Sequence, residues 1–223
     1  MLTNNRSGGF RLTLVYVIAL GVLVALMRVA PRYLDLGSGV WNLMPVGALA
    51  LFAGSRLRGW SAWLVPLAVM LVADLLLIYP LSKMDPPSSS FSLIETPAIY
   101  LSFVLYVALG RLIRQNELSP PVIGGAALLG SVQFFVLTNF ATWVRAINSP
   151  PLPPELMEFN YTPDLAGLGK CFLMAVPFYK STLASDLVCS ALIFGGHALL
   201  TWSLARAKSP AVALVAHRDE VSR

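Results

Sequence analysis

The chain has 223 residues, of which 57% are hydrophobic and 12% are charged, whereas a soluble domain of this size carries about 25% charged residues. This composition excludes an ordinary soluble protein and indicates an integral membrane protein. The formal net charge is +5, but the basic residues stand in ones and twos between apolar blocks, which is typical of helix ends at a membrane surface and argues against nucleic acid as a partner.

Six apolar blocks predict an all-α, polytopic membrane protein that forms a single integral membrane domain over residues 1–223. The predicted transmembrane helices lie near residues 12–29, 41–54, 60–80, 97–113, 122–144 and 183–205. A spanning helix needs about 20 residues, so the second block must borrow flanking residues or cross where neighbouring helices shield it. The segment 165–179 is apolar but too short to span, and it predicts a short re-entrant or interfacial helix in an outer loop.

Lysine and arginine in the short loops predict the orientation, because cytoplasmic loops carry an excess of these residues. With six spans and both termini inside, the cytoplasmic face carries Arg6, Arg11, Arg56, Arg58, Arg111, Arg114, Arg206 and Lys208. The long segment from Arg145 to Thr182 is Pro-rich and mixed in charge, as an external loop would be. We therefore expect a multi-pass protein of the bacterial inner membrane with cytoplasmic termini.

Polar residues interrupt the spans near the predicted outer surface. Asp74 lies six residues before Pro80, and Asn139 lies six residues before Arg145, which is a depth of about 9 Å at a helical rise of about 1.5 Å per residue. Asp186 enters the sixth span from the same side. An ionised residue within a span costs about 2.5 to 3.5 kcal/mol, so such residues usually face a cavity or a partner. These side chains predict a small-molecule site beneath the outer surface.

The predicted substrate-binding residues come from several spans and the outer loop. They are Asn42, Asp74, Gln133, Thr138, Asn139, Trp143, Tyr161, Phe178, Lys180, Thr182 and Asp186. Trp143 and Phe178 would stack on the ligand, and Tyr161 would cover it together with Phe178. Lys180 would bind an anionic group of the ligand or neutralise an aspartate.

Structural roles stay open for several of these residues. Asp186 follows polar residues at the start of the sixth span and is an alternative N-terminal cap. Asn139 is able to bond a neighbouring helix, as amides in spans often do. Asp74 is able to pair with Lys180 or Arg145, and these alternatives predict a bundle without a ligand cavity.

Small residues and one histidine indicate packing. Gly21 with Ala25, and Ala50 with Gly54, are pairs of small residues four apart that let helices approach closely. The first pair lies in the middle of its span and is a candidate docking surface for another membrane protein. His197 in the inner half of the last span is predicted to be a hydrogen-bonded core histidine.

No catalytic, cofactor or metal site is predicted, and the chain is not expected to be an enzyme. It contains no HExxH or GxSxG motif, and neither cysteine belongs to a CxxC pair. The stretch "DLAGLGKC" (164–171) lacks the leading glycine and the final serine or threonine of a phosphate-binding loop. Because no nucleotide site is predicted, any active uptake would need separate ATPase and coupling proteins.

Four stretches, "NLMPVGALALFAG" (42–54), "PLAVMLVADL" (66–75), "GSVQFFVLTNFATW" (130–143) and "AVPFYKSTLASDL" (175–187), carry a resemblance. They resemble a bacterial inner-membrane family of unknown function grouped with transport proteins. That family is distantly similar to the substrate-binding S components of energy-coupling-factor vitamin transporters. The resemblance implies six helices, an outward-opening pocket and small residues on the first helix that contact a coupling subunit. Gly21 and Ala25 would take that role, although two alanines are the usual pair.

These observations predict a substrate-binding membrane subunit for uptake of a small micronutrient or vitamin-like molecule. It would be loaded from the outer face and energised by partner proteins. Its expected partners are the small-molecule substrate, membrane lipid, and a coupling subunit with ATPases. The alternative is a structural or assembly subunit of a membrane complex, which would have no ligand pocket.

Overall fold

The computed structural model describes residues 3–34, 45–83, 92–114, 119–150 and 160–221. These residues form six α-helices and no strand. The helices are α1 (Thr3–Tyr33), α2 (Val46–Arg56), α3 (Ser61–Ser82), α4 (Glu95–Ile113), α5 (Pro120–Ile147) and α6 (Leu165–Val221). All except α2 are long and apolar enough to cross a membrane, which confirms the expectation of an all-helical, multi-pass architecture.

The short helix α2 lies at the centre of the bundle. It has 11 residues, and every residue from Val46 to Ser55 is buried. It contacts each of the other five helices, so its apolar side chains meet protein on all sides. For residues 45–54, this arrangement agrees with shielding by neighbouring helices, one of the two alternatives predicted for the second apolar block.

Two glycines set the distance between α2 and α4. A Cβ atom added to Gly54 would collide with the backbone carbonyl of Val107, and one added to Gly110 would collide with the backbone carbonyl of Leu51. Only hydrogen atoms fit between the two backbones at these positions. The Ala50–Gly54 pair therefore works as predicted, because it lets a neighbouring helix approach closely.

The other pair of small residues faces α3. A Cβ atom on Gly21 would lie 2.7 Å from a methyl group of Val69. Ala25 packs against a buried cluster that contains Val29 and Ala73. The close approach at Gly21 and Ala25 therefore takes place within the chain, between α1 and α3. The surface predicted to dock a coupling subunit is occupied by the protein's own third span.

Helix α6 is much longer than the predicted sixth span. It has 57 residues, which corresponds to about 85 Å at about 1.5 Å per residue. The segment 165–179, predicted as a separate re-entrant helix, is the first part of α6. Pro177 does not end the helix, since membrane helices tolerate proline where neighbours and local adjustments satisfy the freed carbonyl. Phe135 of α5 holds this part in place through ring contacts with Phe172 and Tyr179, at 5.4 and 4.7 Å between centroids.

A hydrogen-bonded cap starts α6 outside the apolar segment. A carboxylate oxygen of Asp164 accepts the Gly167 backbone N–H at 2.7 Å and the Thr162 hydroxyl at 2.6 Å. These bonds, led by the one from Thr162, lower the pKa of the Asp164 carboxyl below its ordinary value of 3.8. The Trp143 indole N–H donates to the carbonyl of Thr162 at 3.0 Å, which ties α5 to the start of α6.

We expect Asp164→Ala to loosen the first turn of α6, because the Gly167 N–H loses its acceptor. Hydrogen exchange measured by mass spectrometry at neutral pH should show faster exchange over residues 165–168. Asp164→Asn is the matched control, since asparagine also caps helices well. Because the pKa is lowered, the ionised cap contributes above the ordinary carboxyl pKa and is lost as pH falls through the lowered value. Equal exchange in the alanine variant and the parent would contradict the assignment.

Candidate functional site

The bundle has two chemically different ends. The arginine end, where α2 and α4 finish, carries Arg56, Arg58, Arg111 and Arg114. The loop end carries the last turn of α5 and the segment 160–164 that leads into α6. Between these ends lie two aspartates, Asp74 and Asp186, whose exposed fractions are both 2%. A buried carboxylate in an apolar bundle needs a charge partner or strong hydrogen bonds.

Asp74 is neutralised by a side chain on α1. One carboxylate oxygen accepts a hydrogen bond from Arg28 Nη2 at 2.7 Å, and the other accepts a hydrogen bond from the Tyr100 hydroxyl at 3.0 Å. The cluster links α1, α3 and α4. Asp74 therefore forms an ion pair, as its structural alternative predicted, but the partner is Arg28 and neither of the two predicted residues. Of the two predicted partners, Arg145 pairs with Glu95 at 2.9 Å, and Lys180 is exposed and pairs with no carboxylate in the described ranges.

Asp186 lies at the N-terminus of α2. Its Oδ2 accepts a hydrogen bond from the Tyr106 hydroxyl on α4. A Cβ atom added to Gly47 would lie 2.6 Å from its Oδ1, so the carboxylate sits against the first turn of α2. The free N–H groups and positive dipole end of that turn favour a negative charge. No cation of the described residues forms an ion pair with Asp186.

The alternative of Asp186 as the cap of its own helix is wrong. The helix begins at Leu165, so Asp186 lies well inside it. The carboxylate instead faces the start of a different helix.

Hydroxyl groups with unused hydrogen-bonding capacity surround this carboxylate. Ser131 on α5 is fully buried beside the Asp186–Tyr106 pair. Ser190 lies one turn after Asp186 and on the same face of α6. Ser131 lies close enough to Asp186 and Tyr106 to interact with both. The buried Ser190 hydroxyl makes no hydrogen bond to a group that the structure describes, and such a group costs about 1 to 3 kcal/mol when left unsatisfied. We call Gly47, Tyr106, Ser131, Asp186 and Ser190 the Asp186 site.

Gln133 comes near this region from the other side of α5. Its Nε2 donates to the Ser102 carbonyl of α4 at 3.2 Å. Its Oε1 is buried and has no hydrogen-bond donor among the described residues. This predicted site residue therefore keeps one free acceptor inside the bundle.

The side chains of three other predicted residues form hydrogen bonds within their own helices. Thr138 and Asn139 donate to carbonyls four residues earlier at 2.8 and 2.7 Å. Thr182 does the same at 3.3 Å. Each of these bonds uses a side-chain donor within the residue's own helix. The alternative prediction for Asn139 was a hydrogen bond to a neighbouring helix. Its backbone carbonyl makes such a bond, because it accepts a hydrogen bond from the Cys171 thiol of α6 at 3.5 Å.

The remaining aromatic residues lie at the loop end. Tyr161 lines a cleft of about 260 Å³ together with Thr142, Arg145, Ala146, Ser149, Pro150 and Asn160. Trp143 lies beside it and bonds Thr162, as described above. The Phe178 side chain is 59% exposed and does not line this cleft, so the structure gives no support to its role as a lid. Asn42 lies outside the described residues.

The predicted residues therefore fall into separate groups. Asp74 belongs to the ion pair between α1 and α3, Asp186 to the α2–α4 contact, and Tyr161 to the loop-end cleft. Sequence reasoning missed Tyr106, which reads as one more aromatic residue in an apolar span. It also missed Arg28, which stands near the end of its span and reads as a loop residue.

The chain belongs to DUF6580, a family of unknown function whose sequence profile matches residues 9–211. The match covers nearly all of the helical bundle, including both aspartate clusters. No curated protein and no solved structure matches the chain.

Proposed function

We propose that this DUF6580 protein is a substrate-binding membrane subunit for uptake of a small micronutrient or vitamin-like molecule, recognised by Asp186. One observation carries the proposal. Asp186 is buried within an apolar bundle, and no described cation pairs with it. Ionisable residues within membrane spans usually mark a binding site or an ion path. A ligand with a positive charge or several hydroxyl groups would satisfy the carboxylate.

The neighbours of Asp186 favour a small polar ligand. Ser131 and Ser190 each offer one donor and two acceptors, and Tyr106 orients the carboxylate. These polar groups come from three helices, α4, α5 and α6. In transporters, the N-termini of short helices inside the bundle point at anionic groups of the substrate. The N-terminus of α2 instead faces Asp186, so it is not left open to an anionic ligand. We therefore favour a cationic or hydroxyl-rich ligand over an anionic one.

The distribution of arginine supports an orientation for this uptake. The excess of arginine at one end of the bundle favours that end as cytoplasmic. Both termini would then be cytoplasmic, and the loop end would be outside. Loading would then occur from the outer face of the bacterial inner membrane. The resemblance to S components implies that a coupling subunit and ATPases supply the energy. Because Gly21 and Ala25 face α3, such a subunit would dock on another surface.

The test compares Asp186→Asn with the parent and with Glu95→Gln, a carboxylate-to-amide control outside the Asp186 site. Native mass spectrometry of the parent, purified in membrane lipid, should show a co-purified small molecule. If no molecule co-purifies, we expect the thermal stability of the parent to rise when one member of a panel of vitamins and other micronutrients is added. We expect at least about tenfold weaker binding in Asp186→Asn, because a charged hydrogen bond contributes about 1.5 to 3 kcal/mol. Equal binding to the parent and to Asp186→Asn would contradict the proposal.

The structural-subunit alternative is favoured by the Arg28–Asp74–Tyr100 cluster, which satisfies its charge internally. On that view Asp186 also serves packing alone, and no panel member binds the parent. Asp186→Asn would then raise thermal stability, because an amide loses less on burial than an ionised carboxylate. Proteoliposomes separate the roles further, since a substrate-binding subunit should bind ligand without ATP-dependent uptake until its partners are added.

A further inference from the structure

A second cavity opens at the arginine end, away from the Asp186 site. It has a volume of about 490 Å³ and is lined by Gly9, Phe10, Thr13, Arg56, Arg58, Arg114 and His197. Arg56 is the last residue of α2, Arg58 lies between α2 and α3, and Arg114 follows α4. Three guanidinium groups from separate points in the chain thus share one space. We call it the arginine cavity.

The described residues supply no counter-charge for these arginines. Both ion pairs of the described residues, Arg28–Asp74 and Arg145–Glu95, involve other side chains. Arg114 donates one hydrogen bond to the Leu57 carbonyl at 3.0 Å. The Arg56 Nε is buried and has no acceptor among the described groups. Like charges gathered in a partly enclosed space repel one another, so an anion stabilises the arrangement.

Thr13 and His197 also line the cavity. The Thr13 hydroxyl donates its single proton to the Gly9 carbonyl at 3.0 Å. The same hydroxyl oxygen lies 3.1 Å from His197 Nε2, within hydrogen-bond distance. The imidazole ring packs edge-on against the rings of Tyr16 and Phe52. His197 is therefore a buried, hydrogen-bonded histidine, as predicted, and the arginines supply the positive charge of the cavity.

We propose that the arginine cavity binds a phosphate group, carried by a phospholipid headgroup or by a soluble phosphate compound. Guanidinium groups bind phosphate through two parallel N–H···O bonds, which makes arginine the usual choice for this anion. The volume lies within the range of small-ligand pockets, about 300 to 1,000 Å³. Phe10 places an apolar side chain at the rim, where an acyl chain would lie. The site is independent of the Asp186 site and of its proposed substrate.

The experiment uses the full-length protein and single arginine-to-glutamine variants. Arg56→Gln and Arg58→Gln each remove one charge from the cavity. Arg206→Gln is the matched control, because Arg206 stacks over Trp202 at 5.0 Å and does not line the cavity. Native mass spectrometry measures binding of phosphatidylglycerol, with diacylglycerol as the phosphate-free lipid. Calorimetry with inorganic phosphate forms the second arm.

We expect the parent to bind phosphatidylglycerol, inorganic phosphate or both, and not diacylglycerol. The dissociation constant should rise about tenfold in Arg56→Gln and Arg58→Gln, as for loss of a charge-assisted hydrogen bond, and stay unchanged in Arg206→Gln. Binding in the lipid arm alone identifies a headgroup, and binding in the phosphate arm alone identifies a soluble ligand. The proposal is overturned if neither probe binds, or if Arg206→Gln weakens binding as much as the cavity variants. Arg58 is exposed, so its variant keeps the test valid should Arg56→Gln fail to fold.

Discussion

Replacing Arg28 by methionine is expected to destabilise the protein by about 3 to 5 kcal/mol, the usual effect of removing one partner of a buried ion pair. Asp74 is 2% exposed, and among the described residues the variant would leave it with the Tyr100 hydroxyl alone as a partner. The change should be visible as a lower unfolding midpoint in detergent titrations. It should also loosen the contact between α1 and α3.

A double-mutant cycle identifies the source of the loss. Asp74→Asn in the Arg28→Met background should recover much of the stability, because no uncompensated charge then remains buried. Lys83→Met is the control for charge removal near the same end of α3. Lys83 is exposed and stacks on Tyr79, so its effect should stay within about 0.5 kcal/mol. A loss in the double variant equal to the sum of the single losses would show that the two residues do not interact.

Gly110→Ala is expected to destabilise by about 1 to 3 kcal/mol or more, the range for overpacking a well-packed core. The added methyl group would overlap the Leu51 carbonyl oxygen and approach the Ser55 nitrogen to 2.9 Å. Both atoms belong to the backbone of α2, so no side chain is able to rotate away. The helices α2 and α4 would have to separate along their whole contact.

Gly124→Ala is the matched control on α5. Nothing lies within 4 Å of a Cβ atom at this position. Alanine in a helix interior is about 0.5 to 1 kcal/mol more favourable than glycine, so this variant should match or exceed the parent in stability. Thermal unfolding in the same detergent measures both changes. A stable Gly110→Ala variant would mean that α2 and α4 are farther apart than described.

The extents of most helices could be predicted from the sequence. The block 60–80 became Ser61–Ser82 and the block 97–113 became Glu95–Ile113. Membrane helices are set by a local property, the length of an uninterrupted apolar run, so these bounds required no knowledge of tertiary contacts. The continuation of α6 through Pro177 was missed, because the tolerance of proline depends on neighbours that the local pattern does not contain.

The partners of the polar residues could not be predicted in the same way. Depth along a span follows from counting residues, and it correctly singled out Asp74 and Asp186 as buried. Rotation of each helix decides which neighbour a side chain meets, and rotation is set by packing over the whole bundle. Arg28 is 46 residues from Asp74, and Tyr106 is 80 residues from Asp186. No periodic pattern in the chain connects such distant positions.

The enclosure of α2 has a consequence for how the chain is made. The helix is about 16 Å long at about 1.5 Å per residue, roughly half the hydrocarbon thickness of about 30 Å. Four of its five neighbours, α3, α4, α5 and α6, are synthesised after it. A nascent chain that ends before α4 lacks the backbone of Val107 against which Gly54 closes. The centre of the finished molecule is thus completed last, and truncated translation products expose it to membrane quality control.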